Sequence, residues 1–389
     1  MNVILDVEAI AYPLTGIGRY TLALAKGLEL SPQVGDVKFF TAGRWIDNLD
    51  DLGIDNSGHK ESKFVLSKAT LRQKIPFRRL ARWIYGHLSA WRFHQQVKKL
   101  TGYVYHGPNY RLLPYSASGS VVTIHDLSFI RHPEFHPKER ADFWQAEIHE
   151  VVKRASHIIT DSEFQRKEIV ELLDVEAEKV TAVHLGVEDK FQPFSADRSK
   201  IVLDKYGLRY KEYSLVVATL EPRKNFVRLI QAFEQMPAKI RKAYPLAIVG
   251  DKGWLSDDIH RTISSLMKEN EAVKLGYVDE EDLPQLYSSA SVFLYPSLYE
   301  GFGLPVLEAM ASGTAVLTSN STSIPEVAGS ACLLVDPYSV DEIFKGWISL
   351  LEDKELRERL GNEGRLRARK FSWQRCVEET INAYEKLDY

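Results

Sequence analysis

Residues 291–313, SVFLYPSLYEGFGLPVLEAMASG, constrain this chain most, because they change from strand to helix across one glycine-marked turn. Residues 292–295 form a short apolar run that suits a buried strand. Pro305 suits the first helical position and Gly313 the residue just past the helix end. No Ser, Thr, Asp or Asn directly precedes Pro305, so the first-turn amides lack an obvious side-chain cap. Such donors, at the positive end of a helix dipole, are well placed for a phosphate. Gly301 and Gly303 lack a Cβ and let a ligand approach the backbone. Glu300 before the turn and Glu308 within the helix add two carboxylates. Amides for a diphosphate and carboxylates for hydroxyls suit a sugar nucleotide, although glycine and proline at a strand–helix turn are also ordinary α/β punctuation.

The 389 residues are enough for two domains of ordinary size, each with its own core. With 44% hydrophobic and 26% charged residues the composition is that of a soluble globular protein. A net charge of −3 gives no overall case for a nucleic-acid partner. Cys332 and Cys376 are too few for a disulfide framework or a cysteine-built metal site, and Cys332 sits in an apolar run as a small hydrophobe. The opening MNVILDVEAI lacks the basic region and long apolar core of a signal peptide. No apolar run approaches the roughly 20 residues that span a bilayer. These features point to a cytoplasmic protein.

In the first half, residues 3–7 read as a buried strand, and TGIGRY, residues 15–20, opens a helix to about Leu30. The Gly-rich turn between them has anion-binding geometry, though tight strand–helix turns need glycine anyway. Residues 37–41 are the next strand. From Ser62 to His125 there is no Asp or Glu, while eleven cations include Arg78, Arg79 and Arg82. Leu80, Ile84, Leu88 and Trp91 recur there at helical spacing. The segment is either a basic amphipathic helix at an anionic membrane or a surface helix packed on its own domain. Residues 121–124 form a short strand ending in His125-Asp126, where ligands bind in open α/β sheets, with a structural histidine as the plain alternative. His106, also at a strand end, reads as structural. Helices over 137–155 and 163–173 flank a strand at 157–160, with Asp161 or Ser162 as N-cap, and residues 180–185 form the last strand of this half.

Residues 214–219 open a second strand–helix series, followed by Glu221-Pro222-Arg223-Lys224-Asn225 and an apolar-periodic helix over 226–236. A Lys and an Arg between strand and helix can neutralise a diphosphate, though loop cations are commonly just solvated. Strands at 246–249 and 273–278 follow. The acidic run Asp279-Glu280-Glu281-Asp282 reads as a helix cap rather than a metal site, and no D-x-D motif stands out. A strand at 315–319, a turn at Ile324-Pro325-Glu326, a strand at 332–335 and helices to about Lys370 complete this half. Residues 371–387 form a terminal helix.

EGFGLPVLE, an E-x7-E motif, together with TGIGRY, VTIHDL and EPRKN resembles the motifs of the retaining glycosyltransferases of family 4. The resemblance covers nearly the whole chain and extends to bacterial mannosyltransferases of O-antigen and surface-polysaccharide biosynthesis. It implies the α/β GT-B fold, two Rossmann-like domains facing each other across a cleft. The expected divisions are an acceptor domain over 1–193, a nucleotide-sugar-binding domain over 194–370, and a terminal helix over 371–389 crossing back to the first domain. The resemblance implies that Glu300 holds donor-sugar hydroxyls and Glu308 the ribose. Lys224, Arg223 and the turn Gly301, Phe302, Gly303 and Leu304 would hold the diphosphate, while Tyr277 and Val278 lie against the base. Many relatives carry an Arg five residues before the Lys; here that position is Thr219, so Arg223 would supply the second cation. Gly16 and Gly18 would face the donor from the other domain, His125 would reach its sugar, and Asp126 would orient the His125 ring. His125, Glu300 and Lys224 form the implied catalytic set. No cofactor and no metal is implied, the nucleotide sugar being a co-substrate. GDP-mannose is the favoured donor, with a UDP-hexose or other NDP-hexose next. The implied acceptor is a glycan hydroxyl, polyprenyl-diphosphate-linked, met at the inner face of the cytoplasmic membrane with Arg78, Arg79 and Arg82 on that side. A same-fold epimerase or phosphorylase and a non-catalytic sugar-nucleotide-binding subunit are the competing readings.

Overall fold

Short apolar runs, buried on both faces, become the strands of two separate sheets, the pattern expected of parallel sheets covered by helices. The computed structural model describes residues 1–387 except 12–13, 42, 53–90, 92, 96, 98–99, 114–118 and 252. Arg78, Arg79, Arg82 and the basic helix expected around them lie outside the described residues.

Among the described residues, the first sheet contains β1 (Asn2–Asp6), β2 (Asp36–Thr41), β3 (Arg44–Ile46), β4 (Tyr103–Gly107), β5 (Ser120–Thr123), β6 (His157–Thr160) and β7 (Val180–Ala182). Their spatial order is β3-β2-β1-β4-β5-β6-β7, parallel except for the β2–β3 pair. The second sheet contains β8 (Ser214–Val217), β9 (Leu246–Val249), β10 (Ala272–Gly276), β11 (Val292–Tyr295), β12 (Ala315–Ser319) and β13 (Leu333–Val335). Its order is β10-β9-β8-β11-β12-β13, parallel throughout. Each sheet therefore begins in its middle, runs to one edge and returns on the other side. That leaves a topological switch point between β1 and β4 and another between β8 and β11, the places where open α/β sheets hold ligands.

The sequence reading lacks β3 and the Ala196–Tyr206 helix, and also the Ser128–Arg131, Ala238–Ala243 and Asp257–Lys268 helices. Strand β3 is a three-residue antiparallel edge strand, too short to carry an alternation signal. The Ala196–Tyr206 helix starts at Ser195, whose side chain accepts from the Arg198 amide, and ends at Gly207 with φ of 66°. It packs on the Leu283–Ser289 helix. The acidic run ahead of that second helix does not cap it with side chains. Asp279 and Asp282 instead bind Lys205 at 2.8 and 2.6 Å, because the Ala196–Tyr206 helix delivers that ammonium beside them. Among the described residues no helix is long and apolar enough to cross a membrane.

The Trp373–Glu385 helix, N-capped by Ser372, lies on the Gly16–Leu30 helix of the first sheet. The fit is close: a Cβ on Gly27 would stand 2.4 Å from Val377. Tyr384 on the same helix bonds His106 Nδ1 at 2.6 Å, and Thr123 bonds Nε2 at 2.8 Å. His106 is fully buried with both nitrogens matched by hydroxyls, a structural histidine, and burial pushes its pKa down to about 3.

This burial sets an acid limit on the fold. His106 stays neutral in the folded chain down to about pH 3 but charges near 6.5 when unfolded. The unfolded state thus binds more protons in that window, and stability falls as pH drops through it. His157, pushed by burial down to about 4, adds to the same slope. Thermal melts should show the midpoint dropping from pH 6.5 toward pH 4 in the native protein. His106→Gln should flatten that decline, and an unchanged slope in the variant would contradict the assignment.

Candidate active site

The turn after β11 is shaped by Gly303, whose φ of 110° only glycine adopts readily and which caps the Leu304–Ala311 helix. Pro305 takes the second helical position and brings no amide, while the Val306 and Leu307 amides donate to the Gly303 carbonyl. Ser323 donates to the carbonyls of Glu300 and Phe302 at 2.9 and 3.1 Å and ties the turn to its own lobe.

Beside it, the loop after β8 is pinned by Asn225, in left-handed conformation, which donates to the Pro296 and Pro337 carbonyls. Lys224 and Arg223 are thereby presented to Glu300 across the β8–β11 switch point. Lys224 Nζ lies 2.6 Å from Glu300 Oε1 and 2.7 Å from the Tyr295 hydroxyl. Arg223 Nη1 lies 3.0 Å from Glu300 Oε2, and its Nε donates to Glu221 at 2.6 Å. Burial pushes the Glu300 carboxyl up, but Lys224 and Arg223 together bring it below its usual value. Burial likewise raises Asp126 from the facing lobe, and Arg223 foremost pulls it down again. Three carboxylates, Glu221, Glu300 and Asp126, thus surround two cations.

His125 follows β5. Its Nδ1 is 2.8 Å from Asp161 and its Nε2 is 2.9 Å from the Pro108 carbonyl. A carbonyl only accepts, so Nε2 donates, and one further proton lies between Nδ1 and the Asp161 carboxylate. Burial works against the charged ring, yet Asp161 holds its pKa above the usual histidine value. The sequence expectation for Asp126 needs correction: the ring is oriented by Asp161. Asp126 instead accepts from the Ser128 amide and hydroxyl at 3.0 and 2.7 Å, while the β5–β6 register brings Asp161 level with His125.

The two lobes meet at these motifs. A Cβ on Gly301 would stand 2.0 Å from the His125 carbonyl oxygen, so the turn reaches the histidine only because residue 301 is glycine. Ser162 donates to the Gly301 carbonyl at 2.8 Å, and the Tyr299 hydroxyl accepts from Gln165 at 2.8 Å. Glu326 accepts from the amides of Glu163 and Phe164, at the start of the Glu163–Leu173 helix. Trp254 donates to the Phe135 carbonyl at 2.7 Å. Arg19, beside Gly18, reaches Glu308 at 2.7 Å, and the Tyr287 hydroxyl donates to the other oxygen at 2.8 Å. Removing Arg19 would leave Glu308 buried and unpaired, which costs about 3–5 kcal/mol in comparable pairs.

The structure therefore brings Glu300, Lys224, Arg223, Gly301 and His125 to one place, with Glu308 on the helix after the turn and Arg19 reaching it from the Gly16–Leu30 helix of the facing lobe. Gly16 faces the motif turn, since a Cβ there would meet Leu304 at 3.4 Å. Gly18 instead faces its own lobe, against the Ala9 carbonyl. Phe302 and Val278 are buried, Phe302 between His184 and Phe371, while Tyr277 is half exposed. Sequence reasoning did not single out Arg19, Tyr287, Tyr295 or Trp254. Only Arg19 carried a signal, its place inside TGIGRY. Among the described residues, no group of three or more His, Cys, Asp or Glu could hold a metal ion.

The sequence matches the family model described as glycosyl transferases group 1 over residues 204–367. It is 38% identical over 387 residues to the O-antigen chain mannosyltransferase B of Escherichia coli, covering 100% of both chains. The fold is similar to sucrose-phosphate synthase from Thermosynechococcus elongatus, with TM-score 0.75 and 20% identity over 99% of this chain and 98% of that one. It is also similar to Anabaena HepE solved with UDP and glucose, with TM-score 0.70 and 17% identity over 99% of each chain.

The backbone contact at Gly301 gives a direct test. Gly301→Ala should hold the lobes apart, because the clash is with a carbonyl rather than a flexible side chain. Small-angle scattering should then report a larger radius of gyration with circular dichroism unchanged. A scattering curve identical to that of the native protein would contradict the contact.

Proposed function

Because the chain belongs to the group 1 glycosyl transferases, with the GT-B fold, we propose that it is a retaining mannosyltransferase drawing on GDP-mannose. As a hexosyltransferase it moves a hexose from a nucleotide sugar to a glycan. The donor's identity, the retained stereochemistry and a lipid-linked acceptor in surface-polysaccharide assembly are our reading. The full-length likeness to an O-antigen mannosyltransferase supports it.

The observation that carries the mechanism is the Glu300–Lys224 contact of 2.6 Å at the β8–β11 switch point. The diphosphate competes with Glu300 for Lys224 and Arg223. Its arrival draws the cations away and leaves the Glu300 carboxylate to accept sugar hydroxyls. The amides up to Leu304 and the helix dipole add to the same anion site. By the same logic the ribose hydroxyls replace Arg19 on Glu308, while the base lies by Tyr277 and Val278. His125, kept in position by Asp161, approaches the sugar from the facing lobe, next to Gly301.

Bond cleavage separates the anomeric carbon from the β-phosphate oxygen, building negative charge on the phosphate and positive charge on the sugar. The acceptor oxygen attacks from the same face, and its proton passes to the departing phosphate oxygen. Fixed cations in a closed, water-poor cleft favour that charge separation. No protein nucleophile takes part, so Glu300 and Glu308 do not act as a glycosidase acid–nucleophile pair.

A thermal-shift screen of GDP, UDP, ADP and dTDP sugars should give its largest stabilisation with GDP-mannose, since a ligand of the folded state raises its melting point. A larger shift with a UDP-hexose would replace the donor. Lys224→Ala and Glu300→Ala should each lower turnover by about a hundredfold or more, as for loss of one transition-state contact. Turnover near that of the native enzyme in either would remove the residue from the mechanism.

A further inference from the structure

We propose that Arg19 is a positioning residue with two seats: it holds Glu308 until a nucleotide binds, then moves onto Glu280 and leaves Glu308 to the ribose hydroxyls. The proposal rests on the reading above that Glu308 takes the ribose. It adds where the displaced guanidinium goes and names Glu280 as the residue that receives it.

The first seat is the one the structure shows. Arg19 lies in the first turn of the Gly16–Leu30 helix, where its amide donates to the Thr15 carbonyl at 2.9 Å and the next residue, Tyr20, is buried. The backbone is thus fixed, and only the guanidinium can change partner. Its Nη1 donates to Glu308 Oε1 at 2.7 Å, while the Tyr287 hydroxyl donates to Oε2 at 2.8 Å. Each oxygen of this buried carboxylate already has a protein donor. Tyr287 is fully buried, so Arg19 is the donor that can yield to a ribose diol.

The second seat stands beside the first. Arg19 Nη2 lies 3.6 Å from Glu280 Oε1, an ion pair just beyond hydrogen-bond reach. That oxygen is buried and accepts no hydrogen bond, and Arg19 Nε is buried and donates none. Folded proteins rarely leave such atoms unmatched. Here a spare donor and a spare acceptor belong to the two partners of one near contact. Closing the gap to the roughly 2.8 Å of a charge-assisted hydrogen bond takes about 1 Å of side-chain movement. The guanidinium fork, with five N–H donors, suits a change between two carboxylates.

The rest of the acidic run is committed elsewhere. Asp279 and Asp282 bind Lys205 at 2.8 and 2.6 Å, and Glu281 is exposed. The other oxygen of Glu280 lies 3.7 Å from Lys190, which is shared with Glu188 at 2.9 Å. Arg19 and Lys190 therefore serve three carboxylates, Glu188, Glu280 and Glu308. When ribose hydroxyls satisfy Glu308, two cations remain for two carboxylates. Both seats belong to the second lobe and Arg19 to the first, so the transfer frees Glu308 while the lobes stay bridged. The same pair lies by the position read for the base: burial raises the Tyr277 hydroxyl pKa, Glu280 raises it further, and Arg19 opposes.

Isothermal titration calorimetry on the full chain tests this, with GDP and UDP each beside its 2′,3′-dideoxy form. The native chain should bind at least one ribonucleotide about tenfold or more tightly than the dideoxy form, as for loss of a hydrogen bond to a charged group. Glu280→Gln should weaken that ribonucleotide about tenfold and leave the dideoxy form unchanged, because Arg19 need not leave Glu308 for a ligand without the diol. On an Arg19→Gln background, Glu280→Gln should have no effect on either form; the single variant decides alone should the double one not fold. A native chain that binds neither nucleotide, or binds both forms alike, would overturn the ribose reading and the two-seat arginine with it. A diol preference that Glu280→Gln leaves intact, or equal weakening of both forms, would overturn the two-seat arginine alone.

Discussion

Backbone meets backbone where Gly301 reaches the His125 carbonyl, and the rest of the site depends on that approach. No side-chain contact could hold the motif turn so near the histidine of the facing lobe, because any Cβ would occupy the same space. One residue earlier, Glu300 inherits its position from the turn and receives Lys224 and Arg223 from the neighbouring loop. Ser162 and Tyr299 then add hydrogen bonds on both sides of the contact.

On the proposed function, the charges are arranged for exchange rather than for stability. Burying an ion is costly unless it is paired, and each buried ion of the motifs has a partner within the protein: Glu300 with Lys224, Glu308 with Arg19, Asp161 with His125. A diphosphate that enters such a site replaces a carboxylate as the partner of a cation. The desolvation has already been met by folding, and the incoming anion needs only to compete for a preformed contact. An open basic patch would attract phosphates more readily but would be solvated and screened.

The two sheets repeat one solution. Each starts centrally, grows outward, and reverses, so each opens a crevice at its strand ends. In the second sheet Lys224 and Arg223 meet Glu300 at that crevice; in the first, Asp6, Glu8, Asn109 and Arg111 line it. The Trp373–Glu385 helix ties the last residues of the chain to the first sheet, through Tyr384 on His106 and Val377 against Gly27.

Much of this was legible in the sequence where the cause is local. The strands Val292–Tyr295, Ala315–Ser319, Leu246–Val249 and His157–Thr160 match the apolar runs bounded by turn residues, and Gly303 and Pro305 announce the motif turn by backbone chemistry alone. Strand β3 and the Ala196–Tyr206 helix were not legible, one for want of length and the other because its polar surface masks its apolar positions. Asp161 shows the boundary clearly. In sequence it adjoins the capping Ser162 and reads as a helix start; only the register of β5 on β6, Thr123 opposite Ile159, carries it level with His125. Arg19 and Glu308 are 289 residues apart and meet only because two lobes close. The sequence by itself determined most of the strands, which turns need glycine, and which residues carry charge. The tertiary structure alone decided which charge faces which, since strand register and lobe contact are set by packing between distant segments.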